Sequence, residues 1–165
     1  MREAATFDDF YVTTRARIVH QMYAMLGDLG EAEDVTQEAY SRAWRQWSQV
    51  SRMADPQAWV RTVAWRLAAN GLRHRRRAAV RLLLRVPVSP APEPSVDNVA
   101  IVEALRRIPA DQRRAIVLHY LADLTLEQAA AETGASVSAV KSRLARGRAA
   151  LAPLLEDQAC EVRYV

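Results

Sequence analysis

The sequence predicts an all-α protein built as two small helical domains joined by a proline-rich linker. Apolar residues recur at spacings of three and four along most of the chain, and no stretch alternates with period two. The run Val86-Pro87-Val88-Ser89-Pro90-Ala91-Pro92-Glu93-Pro94-Ser95 holds four prolines in ten residues, which excludes helix there and favours extended chain. Over 165 residues, two domains of this kind have thin cores.

Before the linker, the spacing predicts a first helix over about Asp8 to Leu26, with Phe7, Phe10, Thr14, Ile18, Met22 and Met25 on one stripe and Gly27 placed to stop it. Asp28, with Glu31 three residues on, resembles an N-terminal capping box and starts a second helix to about Trp47. Its buried side is Ala32, Val35, Ala39 and Ala43, completed by Trp44 or Trp47; its other side shows Asp34, Gln37, Glu38 and Ser41. Asp55-Pro56 supplies an N-cap and a proline at the first helical position of a third helix. Trp59, Val60, Val63, Ala64 and Leu67 form its apolar side, with Thr62, Arg66, Asn70, Arg73 and Arg77 opposite; Trp44 and Trp59 are assigned to the core.

Beyond the linker, Asp97 or Asn98 caps a short helix through Leu105, and Pro109 starts another to about Leu121. Thr125 and Gln128 form a capping box over a compact helix ending at Gly134, and Ser136 caps a last helix from Val137 to about Leu151. Helix, short glycine-containing turn, helix is the outline of a helix-turn-helix. Leu126, Ala129, Ala130, Val137, Val140 and Leu144 suit two helices that cross steeply, with alanines at the closest approach.

The net charge of +4 is unevenly divided: residues 1–50 carry −3, 51–90 carry +8, 91–140 carry −3 and 141–165 carry +2. This alternation predicts two separate surfaces for a polyanion. Other function classes find no support. His20, His74 and His119 are scattered, no glycine-rich phosphate loop occurs, and no paired carboxylates stand in an apolar setting, so no catalytic constellation and no cofactor or metal site is expected. Cys160, the single cysteine, has no neighbour at metal-ligand spacing. No apolar run approaches the ~20 residues of a membrane span, and Met1 to Phe10 lacks the pattern of a secretory signal, so a cytoplasmic protein is expected.

The last helix carries the clearest chemistry. With Val137, Val140, Leu144 and Leu151 inward, it presents Ser138, Lys141, Ser142, Arg143 and Arg146, with Arg148 nearer the edge. These are donors for phosphates and purine edges near a helix N-terminus, as a helix lying in the major groove requires. Arg66, Asn70, Arg73 and Arg77 share one face of the third helix, so its charge forms a stripe suited to a phosphate backbone. Trp65 either stacks on an unpaired base or packs against a neighbouring helix. By spacing alone, Asp34, Gln37, Glu38 and Ser41 need no function, because acids near a helix N-terminus stabilise it by about 0.3 to 1 kcal/mol each.

Two runs nevertheless resemble a known family. Leu26-Gly27-Asp28-Leu29-Gly30-Glu31-Ala32-Glu33-Asp34-Val35-Thr36-Gln37-Glu38-Ala39-Tyr40, followed by Arg42-Ala43-Trp44, resembles region 2 of the extracytoplasmic-function (ECF) sigma factors of bacterial RNA polymerase, in the sigma-70 superfamily. Thr125-Leu126-Glu127-Gln128-Ala129-Ala130, Ser136, Val140-Lys141-Ser142-Arg143-Leu144 and Arg146-Gly147-Arg148 are similar to region 4 of the same family. The resemblance implies region 2 over 1–77, a linker over 78–97, region 4 over 98–155 and a tail over 156–165. It further implies a non-enzymatic factor that directs core polymerase to promoters and assists melting. Asp34, Gln37, Glu38 and Ser41 would dock on the coiled coil of the β′ subunit, with the β flap as a second contact. Arg66, Asn70, Arg73, Arg77 and Trp65 would serve the minus-ten element, and Ser138, Lys141, Ser142, Arg143 and Arg146 the minus-thirty-five element. Twenty linker residues reach at most about 66 Å at ~3.3 Å each, against roughly 50 Å for one and a half turns of B-DNA, so one chain spans both elements.

The chain departs from the family pattern at Arg66, where Asn is usual, at Asn70, where Asp is common, and at Ala139, where Thr is frequent, so the promoter sequence does not carry over. The family also implies control by a separate anti-sigma protein. A stand-alone helix-turn-helix repressor is the alternative; it accounts for the second lobe and leaves the acidic helix and the first basic stripe without a purpose. An adaptor protein binding other helices accounts for the amphipathic faces and not for two basic surfaces.

Overall fold

The computed structural model describes residues 6–78 and 96–161, with side-chain positions over 6–71 and 99–156. Among the described residues every regular element is helical. The chain forms two compact units, 1–92 and 93–165. The proline-rich run 86–95, the Leu82-Leu83-Leu84 segment and Cys160 fall outside the described residues or side chains.

In the first unit, α1 (Phe7–Leu26), α2 (Leu29–Arg45), a single-turn α3 (Trp47–Val50) and α4 (Pro56–Ala78) pack so that α2 lies against both α1 and α4. The ends are fixed locally. Gly27 takes the left-handed conformation (φ 76°) that an L side chain resists, and its N–H reaches Tyr23 O. Asp28 Oδ1 accepts the Glu31 N–H at 2.8 Å, and Asp55 Oδ1 accepts the Ala58 N–H at 3.0 Å, each satisfying an orphan donor of a first turn. Ile18, Met22 and Met25 of α1 meet Ala32, Thr36, Ala39, Tyr40 and Ala43 of α2 and Val60, Ala64 and Ala68 of α4 in the core.

Three expectations are corrected here. Trp44, expected in the core, is 65% exposed, and Tyr40, one turn earlier, is the buried aromatic. The second helix stops at Arg45, not near Trp47, because Gln46 leaves helical geometry (φ −120°, ψ 22°). That break turns Trp47 back onto Phe10 and Phe7, at ring distances of 5.0 and 5.4 Å, in pairs worth about 0.5–1.5 kcal/mol each beyond their burial. Trp59, also expected in the core, is half-buried. Conversely, Arg61 is buried, and its guanidinium reaches Gln21 Oε1 at 3.5 Å and Asp55 Oδ2 at 4.0 Å. The residue that caps α4 is thereby tied to α1.

The second unit runs α5 (Val96–Arg106), α6 (Ala110–Ile116), a π-helical turn (Val117–Leu121), α7 (Leu126–Thr133) and α8 (Val137–Glu161). Helix α5 begins before Asp97 and Asn98, so these residues lie in its first turn and not at its cap, a position where an acid still favours the helix dipole. Pro109 is the residue preceding α6, and the helix continues to Leu121 as expected, with its last turn widened so that the Ala122 N–H bonds Val117 O. Helix α8 passes the expected end at Leu151 and runs through Pro153 to Glu161. Pro153 is exposed, so its ring meets water, while half-buried Leu151 and Leu154 carry the packing face past it.

Tyr40 allows a test of the first core. Its hydroxyl lies 2.6 Å from Thr14 Oγ1, and burial, partly offset by that bond, pushes the phenol above its ordinary value near 10. The folded state therefore holds this proton more tightly than the unfolded state. The contribution is complete below about pH 10 and is lost as pH rises through the raised folded value. Tyr40→Phe is expected to cost about 1 kcal/mol at neutral pH. Urea midpoints followed upward from neutral pH are expected to fall less steeply above pH 10 in this variant than in the natural chain.

Candidate protein and nucleic-acid interfaces

Helix α2 has one buried face, and the residues opposite it face solvent. Asp34, Gln37 and Glu38 are exposed and Ser41 is half-buried, so the four share one side of the helix. Two of them have intramolecular partners: Gln37 Oε1 accepts the Tyr11 hydroxyl at 3.1 Å, and Glu38 pairs with Arg42 at 2.8 Å. An exposed i,i+4 pair of this kind is worth about 0.3–0.5 kcal/mol. Beside them, Phe7, Asp8, Tyr11, Gln37, Tyr40, Ser41 and Trp44 line an open groove of about 340 Å³. Its aromatic wall was not anticipated, because assigning Trp44 to the core removed it from the surface.

On α4, Arg66 and Asn70 are exposed on the side away from Val60, Ala64 and Ala68, and Trp65 is half-buried. Arg73 and Arg77 continue the same register within the helix, and their side chains lie outside the described set.

In the second unit the expected helix-turn-helix is present. Thr125 and Gln128 close a reciprocal capping box over α7, at 2.9 and 3.2 Å. Gly134 (φ 68°) ends α7 in the left-handed conformation, and Ser136 Oγ accepts the Ala139 N–H at 3.1 Å to open α8. Ala129 and Ala130 of α7 and Val140 and Leu144 of α8 are buried, so the two helices approach through small side chains. Val137, expected inward, is 40% exposed, because it stands at the open first turn of α8 where α7 does not cover it.

The outer side of α8 carries Ser138, Lys141 and Arg146, all exposed, with Ser142 half-buried. Arg146 is pre-positioned: its Nε and Nη2 donate to Ser142 Oγ at 3.2 and 2.7 Å. Arg143 differs, because its Nε lies 3.2 Å from Asp111 Oδ2 on α6. At the edge, Arg148 donates to the Tyr120 hydroxyl at 3.3 Å. Among the described residues no cluster of three or more His, Cys, Asp or Glu side chains stands at metal-binding distance, and no helix is long and apolar enough to cross a membrane.

Comparison with known proteins decides the family. The sigma-70 region 2 family pattern matches residues 10–78, and the sigma-70 region 4 pattern matches residues 98–151. The ECF RNA polymerase sigma factor SigK of Mycolicibacterium vanbaalenii is 30% identical over 160 residues, covering 91% of this chain and 82% of SigK. The chain belongs to the ECF sigma factors of RNA polymerase. A probable RNA polymerase sigma factor, RfaY of Xanthomonas campestris, is 32% identical over 137 residues, which span 76% of this chain and 34% of RfaY. Among solved structures, the Bartonella quintana sigma factor RpoE, crystallised with the anti-sigma factor NepR, superposes with a TM-score of 0.75 at 25% identity, covering 91% of this chain and 96% of RpoE. As a sigma factor, the chain binds core RNA polymerase and promoter DNA in transcription initiation, which sets aside the stand-alone repressor.

The capping box of α7 is the most local determinant of the second unit. Thr125→Ala removes one of its two bonds and is expected to cost about 1 kcal/mol. In urea titrations the midpoint of the second unit should fall with its slope unchanged, and Thr125→Ser should restore it.

Proposed function

We propose that residues 1–77 act as region 2, residues 78–97 as the linker, and residues 98–155 as region 4 of this sigma factor. Asp34, Gln37, Glu38 and Ser41 hold the β′ coiled coil of core polymerase, and the second unit meets the β flap. Arg66, Asn70, Arg73 and Arg77 follow the backbone of the minus-ten element, while Trp65 offers a flat apolar surface to a base released by melting. Ser138, Lys141, Ser142 and Arg146 meet the minus-thirty-five element in the major groove, while Arg143, expected among them, is paired to Asp111.

The observation that carries this reading is the division of surfaces between elements. One unit presents an exposed acid-and-amide face on α2 and exposed Arg66 and Asn70 on α4; the other presents an exposed basic face on a capped helix-turn-helix. The acidic face suits a basic protein helix and repels phosphate, whereas the basic faces suit DNA. The factor works without catalysing a reaction. It adds sequence preference to an enzyme that lacks it, and its place of action is the cytoplasm, where core polymerase and promoters are. Because the related RpoE was crystallised with the anti-sigma factor NepR, sequestration by a separate protein is the proposed mode of control.

The test is an anisotropy or gel-filtration titration of the full chain against core polymerase. Gln37→Ala with Glu38→Ala is expected to weaken binding about 30-fold, at about 1 kcal/mol for each truncated interface residue. Equal affinity of the variant and the natural chain would remove this face from the docking surface. The same double variant should leave the urea midpoint nearly unchanged, since both residues are exposed.

A further inference from the structure

Arg143 lies in the basic segment of α8, but its surroundings differ from those of its neighbours. Lys141 and Arg146 are exposed, whereas the Arg143 side chain is 33% exposed and its Nε meets Asp111 Oδ2 at 3.2 Å. Asp111 is itself held. Its Oδ1 accepts the Gln112 N–H at 2.9 Å, and it stands in the first turn of α6, where the helix dipole favours a carboxylate. The backbone explains how α6 comes so close. Gly147 is buried one turn further along α8, and a Cβ there would stand 2.8 Å from Ile116 Cδ1 and 3.3 Å from Gln112 Cβ. The two helices therefore cross at a point that only glycine fills without displacement, and Asp111 closes over Arg143 beside it.

We propose that Asp111 is a specificity-determining residue of this sigma factor, which withdraws the Arg143 charge from DNA and fixes the rotation of α8 about its own axis. The inference rests on the reading of α8 as the minus-thirty-five helix and deepens it. A free guanidinium on this helix would attract every phosphate alike. Each such contact adds affinity for all sequences and steepens the salt dependence by about 0.9 in log K against log salt. Paired to Asp111, Arg143 adds no such contact, Lys141 supplies one, and discrimination rests on groups that reach base edges: Ser142 and Arg146. Arg146 is already aimed, since two donors of its fork are engaged by Ser142. Asp111 is a positioning residue and touches no DNA.

The experiment uses holoenzyme assembled from core polymerase and the full chain. Binding is measured over a series of KCl concentrations to the tightest duplex selected from a library randomised in the upstream element, and to a scrambled duplex. Arg143→Gln is expected to keep the salt slope of the natural chain, while Lys141→Gln lowers it by about 0.9. Asp111→Asn, which frees the guanidinium, is expected to raise the slope by about 0.9 and to reduce the preference for the selected duplex about threefold or more, through tighter binding of the scrambled one. Combining Asp111→Asn with Arg143→Gln should return the slope to its natural value, an outcome that a damaged fold does not produce.

An Arg143→Gln slope that falls as far as that of Lys141→Gln would make Arg143 a direct phosphate contact and overturn the proposal. So would an Asp111→Asn variant with unchanged slope and preference. If Lys141→Gln itself leaves the slope unchanged, the reading of α8 as the DNA-facing helix fails first, and the role of Asp111 fails with it.

Discussion

Ala32, Ala39 and Ala43 of α2 and Ala64 and Ala68 of α4 are all at most 1% exposed, and Ala104, Ala115, Ala129 and Ala130 hold equivalent places in the second unit. Short side chains at these sites let helix axes approach closely, and the interaxial distance decides which larger residues fit beside them. In the first unit the space left over is filled by Tyr40, Ile18, Met22 and Met25, and in the second by Leu105, Leu118, Val117 and Val140. Enlarging a crossing residue would push long polar side chains inward or separate the helices. The functional faces are therefore consequences of the crossings: with alanine on the packed side, each helix places its charged residues on the other.

The same constraint separates the two kinds of surface. Helix α2 gives its packed side to α1 and α4, so Asp34, Gln37 and Glu38 stand on the solvent side, next to a groove walled by Trp44, Tyr11 and Phe7. Helix α8 gives its packed side to α5, α6 and α7, so its cations stand on the solvent side, apart from Arg143, which pairs with Asp111 of α6. Individually these exposed groups contribute little to stability, within about 0.5 kcal/mol for most surface positions.

Much of the fold was legible in the sequence because the signals were local. Gly27, Gly134, the Asp55-Pro56 step, the Thr125 to Gln128 box and Ser136 each act within one turn of helix, and each sits where its chemistry directs it. What was not legible depends on tertiary packing. Tyr40 and Trp44 are one turn apart on α2, and the choice of which is buried is made by Thr14 and the aromatic rings of α1. The π-helical turn lies where the chain passes from α6 into α7, and it is tied there by hydrogen bonds: the His119 ring bonds Leu124 O at 2.8 Å and the Leu124 N–H bonds Leu118 O. The burial of Arg61 carries no local signal, because Gln21 and Asp55 supply its partners from elsewhere in the fold. The candidate site divides in the same way: the polar faces of α2 and α8 followed from helical period, whereas the exposure of Trp44 and Val137 and the partners of Arg143 and Arg146 required the structure.

If the chain confers promoter choice on core polymerase through two separate units, it must create new transcription starts. The most direct test is transcription of genomic DNA by purified core enzyme with and without the chain, with mapping of RNA 5′ ends. The account predicts a small set of discrete 5′ ends that appear only when the chain is present, each with unpaired bases just upstream detectable by permanganate. Tight, sequence-selective binding of duplex DNA by the chain alone, with no new 5′ ends in the presence of core enzyme, would contradict it.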